Sequence, residues 1–278
     1  YQDAKIALER ITDITAKDDE DPVNISLMRD IPSCESIQIK DLTFYYGTEK
    51  VEPVIKDFNL TIEAGKTTAI VGPSGSGKTT LLKLLLKFYN ANKGSIELGS
   101  IDFKNLHHGS WRDRCGAVLQ DGILLNGTIA DNIALGQKKE HDRIVQAAKT
   151  TCIYDFINAL PQGFETEIGL EGLPVSTGQK QRILLARAVY KDPDYILLDE
   201  ATSSLDAENE RMIIENLNEL FEDKTVVVVA HRLSTVKNAD NIIVMDNGCI
   251  SESGTHDELV AREGVYFQLI KNQLELGG

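Results

Sequence analysis

The spacing of apolar and polar residues changes period along the chain, and each change predicts an element. Ser36–Tyr46 and Phe58–Ile62 alternate apolar with polar residues, which predicts antiparallel strands. Lys66–Val71 is a short apolar, β-branched run and predicts a buried strand, while the leucine-rich Thr80–Lys87 predicts a helix. Cys115–Leu119 reads as another apolar strand. Residues 121–175 hold little strand pattern and several helical runs, such as Thr128–Leu135 and Asp142–Thr151. Continuous apolar runs then return at Tyr195–Asp199 and Thr225–Ala230, as expected of strands covered on both faces. Ile242–Ile250 reads as a hairpin turning at Asn247-Gly248, and the chain from about residue 255 reads as helical. At the other end, Ile6, Leu8, Ile11 and Ile14 sketch an amphipathic helix over residues 1–16, and Asp18–Pro22 breaks it with a solvated linker. The sum is an α/β architecture with a small antiparallel sheet at the front and a helical subdomain inserted in the middle.

Composition narrows the function classes. The 278 residues suffice for one large or two modest domains. A net charge of −14 speaks against a nucleic-acid partner, which would need a basic surface to displace counterions. Cys34, Cys115, Cys152 and Cys249 form no C-x-x-C pair and read as reduced thiols rather than a metal site. On that reading the sequons at Asn24, Asn59 and Asn126 are chance matches. No apolar run approaches the ~20 residues of a membrane span, and no signal peptide is visible. The first residue is Tyr1, so a piece of a longer polypeptide is expected.

The strongest chemical signal is Gly72-Pro-Ser-Gly-Ser-Gly-Lys-Thr79, which fits G-x-x-x-x-G-K-[ST] between a predicted strand and a predicted helix. Gly72, Gly75 and Gly77 let the backbone curl its N–H groups toward an anion, and the helix start adds its positive end. Lys78 would reach the β- and γ-phosphates and the Thr79 hydroxyl would bind Mg²⁺, with Ser74, Ser76 and Thr80 in the same cradle. Asp199 ends an apolar strand, as an acid facing Mg²⁺ should, and Glu200 beside it can position and deprotonate a water. His231 and Gln120 also end apolar strands. Alone, a histidine at a strand end is more often structural, and a glutamine there is a weak signal. Ser176 is placed to cap a helix, whose N–H groups at 176–178 would make a second anion site. One complete and one bare phosphate site in a single chain point to a dimer, each copy's bare site closing on the other's nucleotide.

In this order these residues resemble the nucleotide-binding domain of ATP-binding cassette (ABC) transporters, over about residues 36–273. The resemblance makes Tyr46 the aromatic stacked on adenine, Gly72–Thr79 the Walker A loop and Gln120 the Q-loop glutamine. Val175-Ser-Thr-Gly-Gln179 becomes the signature motif and Ile196–Asp199 the Walker B strand. Glu200 becomes the catalytic carboxylate, Ser203–Asp206 the D-loop and His231 the switch histidine. It implies a P-loop NTPase core, ATP as substrate, and Mg²⁺ held by Thr79, Gln120 and Asp199. It also implies an ATP-dependent head-to-tail homodimer in which Ser176, Gly178, Gln179 and Asp206 complete the partner's site. Two departures stand out. Val175 and Thr177 replace the family's usual leucine and first glycine, and Thr177 fits only with a negative φ. Leu170, within Thr166–Gly172, replaces the usual second acid of an exporter loop that senses the membrane domain.

The helix at 1–16 and Thr166–Gly172 resemble exporter features. Residues 1–35 then read as a linker from the last transmembrane helix and 36–278 as the nucleotide-binding domain, with the helical subdomain at about 121–182. Cys115–Gly122 and Asn272–Gly277 look like bacterial peptidase-containing peptide and bacteriocin exporters. The expected setting is the cytoplasmic face of a membrane, with the transmembrane domain on the same polypeptide and this fragment itself soluble. The alternatives are the ATPase subunit of an ABC importer and a non-transport ABC protein.

Overall fold

The computed structural model describes residues 26–47, 52–170, 172–202, 207–230 and 236–276, with Thr12, Glu20 and Asp21. The helix expected over residues 1–16, apart from Thr12, lies outside the described residues, as do Ser203–Asp206 and His231.

Alternation builds the first sheet. β1 (Ile37–Phe44) pairs antiparallel with β2 (Ile55–Ile62) and with β4 (Lys93–Leu98), which carries the two-residue β5 (Ile101–Asp102). The alternation in β1 slips between Ile39 and Leu42, and there the register shifts, with Asp41 at φ 48°. This bulge returns Leu42 and Phe44 to the buried face. β4 escapes the alternation reading because its apolar residues are only Ile96 and Leu98; both are buried.

The second sheet has six strands in the order β12-β11-β3-β10-β9-β6. These are β3 (Thr67–Val71), β6 (Cys115–Val118), β9 (Tyr195–Asp199), β10 (Thr225–Val229), β11 (Asn241–Asp246) and β12 (Cys249–Gly254). All neighbours are parallel except β12, which returns antiparallel from the predicted hairpin. Every residue of β9 and β10 is buried, which explains their unbroken apolar sequence.

Helices cover both faces. α1 (Lys78–Leu85) and α2 (His108–Arg114) sit with the antiparallel sheet in one core, where the Trp111 indole N–H donates to the Leu85 carbonyl at 2.7 Å. The inserted segment holds α3 (Ile129–Ala134), α4 (His141–Thr150) and α5 (Tyr154–Asn158). It also contains a small ribbon of β7 (Gly127–Thr128) against β8 (Glu167–Ile168), strands too short to show a period. α6 (Thr177–Lys191) joins the two bodies: Leu184, Leu185 and Ala188 face the sheet core, and Ile183, Ala186 and Tyr190 face the helical core. α7 (Ala207–Leu220), α8 (His256–Ala261) and α9 (Val265–Leu276) complete the second face, through Ile213, Leu259 and Tyr266.

Residues ahead of β1 pack on this frame. Ile31 is in the first core, and Met28 bridges to Leu106. Glu20 takes a two-pronged hydrogen bond from Arg112. Among the described residues no helix is long and apolar enough to cross a membrane.

Candidate functional site

Four parallel strands deliver the candidate residues to one edge of the sheet. Ile70 of β3 lies level with Val229 of β10, Val229 with Asp199 of β9, and Leu198 with Val118 of β6. The turns after β3, β9 and β6 therefore leave from the same carboxyl edge, where doubly wound sheets bind ligands.

The loop after β3 has the geometry its glycines predict. Gly72 has φ 147°, and a Cβ there would stand 2.0 Å from the Met245 carbonyl oxygen of β11, so neither the conformation nor the space admits a side chain. Gly75 at φ 82° has nothing near its missing Cβ and faces open space. Gly77 caps α1 with no side-chain hydrogen bond, leaving the first N–H groups of the helix for another acceptor. Lys78 is buried, and its ammonium donates to the Gly72 and Pro73 carbonyls at 2.8 Å each. Burial pushes the Lys78 amine down, while the charges of Glu200 and Asp199 pull it back up. Ser76 is buried with its hydroxyl unpartnered, and Ser74 is exposed.

Asp199 is 1% exposed, and neither carboxylate oxygen has a hydrogen-bond partner. Burial pushes its carboxyl up. The Thr79 hydroxyl pulls it down without reaching hydrogen-bond geometry, Glu200 adds to the rise, and Lys78 opposes it. Glu200 follows with φ 50°, a left-handed backbone that is costly for a glutamate and typical of strained functional turns. Its N–H donates to the Val229 carbonyl at 3.0 Å, and its carbonyl accepts from the Gln181 amide at 3.3 Å. β10 and α6 thus grip the strained turn from two sides.

The remaining candidates divide. The Tyr46 hydroxyl shares a 3.1 Å hydrogen bond with Thr80, the third residue of α1. Gln120 is exposed in the turn after β6, closed by the Gly122 N–H on the Leu119 carbonyl. Ser176 caps α6 as expected, but the cap is reciprocal. The Gln179 N–H donates to the Ser176 hydroxyl, and the Ser176 N–H donates to the Gln179 side chain at 2.8 Å. Of the three N–H groups expected to face an anion, that of Ser176 is therefore already engaged, because an N3 glutamine folds back onto it. Gly178 follows in the first turn of α6, and Thr177, the first helical residue, is not among the residues with positive φ. Among the described residues, no hydrogen bond joins Ser176–Gln179 to the Gly72–Thr80 loop. Asp206 and His231 lie outside the described residues.

The residues fit an anionic ligand and a hard cation. An uncapped helix start beside a buried ammonium suits phosphate. Two orphaned carboxylate oxygens next to a hydroxyl supply the oxygen donors that Mg²⁺ takes, and a buried acid without partners is costly unless something arrives to satisfy it. Sequence reading missed the supporting side chains, namely Gln181, which holds the Glu200 carbonyl, and Tyr89, whose ring meets Tyr46. Both stand next to recognised segments, but no motif marks them.

Comparison with known proteins agrees with this geometry. The ABC transporter family pattern matches residues 55–203. A putative multidrug export ATP-binding/permease protein of Staphylococcus aureus strain NCTC 8325 / PS 47 is 45% identical over 238 residues, covering 85% of this chain and 41% of that protein. The corresponding proteins of strains COL and N315 match equally. The solved structure of a bacterial Atm1-family ABC exporter with ATP bound matches with a TM-score of 0.87 and 34% identity, over 98% of this chain and 47% of that one. The chain thus spans less than half the length of each of these relatives. With the pattern covering more than half of the chain, and with loop, acid and helix terminus set on a matching fold, this chain belongs to the ABC transporter family and is one of its ATPase domains.

Proposed function

We propose that this domain binds and hydrolyses ATP to power export across a membrane, working as one of two copies at the cytoplasmic face, beside a membrane-spanning domain of the same polypeptide. The observation that carries this reading is Asp199, a buried carboxylate with two unpartnered oxygens, set next to Thr79 and the buried Lys78. A folded chain keeps such a costly group where a ligand satisfies it. In this reading Tyr46 meets the adenine, the Gly72–Thr80 loop with Ser74, Ser76 and Lys78 cradles the phosphates, and Thr79, Gln120 and Asp199 hold Mg²⁺. The cation, when bound, neutralises developing charge on the phosphate oxygens. Glu200 orients a water for in-line attack and accepts its proton, and His231 steadies the γ-phosphate. Ser176, Gly178, Gln179 and Asp206 of a second copy close the site, and the Gln179 side chain swings off the Ser176 N–H as phosphate takes its place. Catalysis is then positioning plus electrostatics.

The relatives' fusion of ATP-binding and permease parts supports an exporter over a separate importer subunit. Their description as multidrug exporters favours drug-like cargo over peptides; the peptide reading rests on Cys115–Gly122 and Asn272–Gly277 alone. The net charge of −14 supports an assembly without nucleic acid. The domain bounds carried forward are a linker over 1–35, the nucleotide-binding domain over 36–278 and a helical subdomain over about 121–182. Glu200→Gln tests the mechanism. The variant should retain ATP, lose most turnover and accumulate as an ATP-bound dimer in sedimentation; normal hydrolysis would refute the assignment.

A further inference from the structure

Tyr46 is held by more than its place in the chain. Its ring stands perpendicular to that of Phe44 (centroids 4.9 Å apart, planes at 84°) and to that of Tyr89 (5.2 Å, 88°). Phe44 is buried, whereas Tyr46 is 40% and Tyr89 43% exposed. The Tyr46 hydroxyl is tied to Thr80, near the start of α1, while Tyr89 lies just past that helix's end. Tyr46 is thus pinned at one end of α1 by its oxygen and at the other by a ring. The turn carrying Tyr89 is itself fastened to the strand end carrying Tyr46: the Asn92 side chain accepts from the Tyr45 N–H at 2.9 Å, and the Asn92 N–H donates to the Thr43 carbonyl at 3.1 Å. A half-exposed tyrosine on a loop would ordinarily sample several rotamers. Here perpendicular rings on two sides select one, and the 40% exposure of Tyr46 leaves ring surface for stacking.

We infer that Tyr89 is a positioning residue for the nucleotide base: it fixes the Tyr46 ring so that one face meets the purine while the Tyr46 hydroxyl stays on Thr80 of the phosphate loop. This rests on the nucleotide reading of Tyr46 given above. Tyr89 touches no phosphate position, so its removal weakens recognition of the base and spares that of the phosphates.

The test compares binding of Mg·ATP and Mg·tripolyphosphate to this chain by calorimetry. Tyr89→Ala and Tyr89→Leu are expected to weaken ATP about tenfold, the scale of one lost aromatic–base stack. Tripolyphosphate should stay within about twofold, so the preference for ATP collapses, and Tyr89→Phe, which keeps the ring, should restore it. Equal weakening of both ligands, or an unchanged preference, would make Tyr89 merely structural and overturn the inference alone. A wild-type chain that binds tripolyphosphate as tightly as ATP would overturn the adenine role of Tyr46 as well. The leucine variant keeps the apolar bulk, so a folded protein is available should the alanine variant unfold.

Discussion

Arg187 clasps Asn132 at two points: its Nε donates to the Asn132 backbone carbonyl at 2.8 Å and its terminal nitrogen to the Asn132 side-chain oxygen at 3.1 Å. A further Arg187 nitrogen reaches the Ile123 carbonyl at 3.2 Å. Asn132, 1% exposed, holds both the N–H and the carbonyl of Leu125 at 2.8 and 2.9 Å. The segment just after Gln120 is therefore sewn onto α6, the helix that Ser176 caps. Asn132→Ala would strip four side-chain hydrogen bonds from a buried site, the fourth running from the Asn132 amide to the Thr128 carbonyl at 3.1 Å, and leave Leu125 and Arg187 groups unmatched. We expect a loss of about 2–4 kcal/mol in urea unfolding, together with slower ATP turnover as the Gln120 turn loosens. An ATPase rate within twofold of wild type would show that the brace is structural only.

Asp199 predicts a trade between stability and function. An acid whose value is raised in the folded state contributes stability below its ordinary value of 3.8, and that stability is lost as pH rises through the folded value. Above that folded value the charged, unpartnered carboxylate thus opposes folding. Asp199→Asn should stabilise the ligand-free chain by about 1–3 kcal/mol, or several degrees in Tm, and abolish the extra stabilisation that Mg²⁺ adds to ATP. Thermal melts with ATP alone and with Mg·ATP measure both; an unchanged Mg²⁺ increment would remove Asp199 from the metal site.

The candidate edge was legible in the sequence because its chemistry and its strand ends coincide. Gly72–Thr79 follows the apolar β3 and Asp199 closes the apolar β9, so period and motif point to one place. β4 and β5 were not legible, since two buried residues in six cannot announce a period. The closed cap at Ser176 was half legible: serine and glutamine three residues apart write a capping box, yet the same residues also fit an anion site. Contacts such as Tyr46–Thr80, Arg187–Asn132 and Gln181–Glu200 join residues 34, 55 and 19 positions apart through the tertiary fold, which no local pattern encodes.

Acid should expose the ion pair at the base of the helical subdomain. The Lys139 ammonium, 2.6 Å away, and the Thr128 hydroxyl and N–H hold Asp131 at about 2. A depressed carboxylate contributes stability above its ordinary value of 3.8 and loses it as pH falls toward the folded value, so the window runs from about 4 down to about 2. Both side chains are more than a third exposed, and screening keeps the contribution below about 1 kcal/mol. Urea midpoints of wild type and Asp131→Asn should differ most at pH 5 and converge toward pH 3. A difference that widens in acid would contradict this sign.

Thr177 replaces a glycine of the family's usual signature, and the fold gives it a backbone conformation and room that suit a threonine. The residue opens α6 directly after the Ser176 cap, where a helical, negative φ suits a β-branched side chain, and it is exposed rather than pressed against a neighbour. No backbone conformation reserved for glycine is needed. Thr177→Gly should therefore cost a fraction of a kcal/mol in helix stability, about 0.5, and change steady-state ATPase by less than about tenfold. The change should fall in the affinity for ATP rather than in the maximal rate, because Ser176 and Gly178 keep the groups proposed to meet the γ-phosphate. An ATPase gain of a hundredfold or more would mean that the threonine blocks the composite site, and that this signature is held inactive by its own side chain.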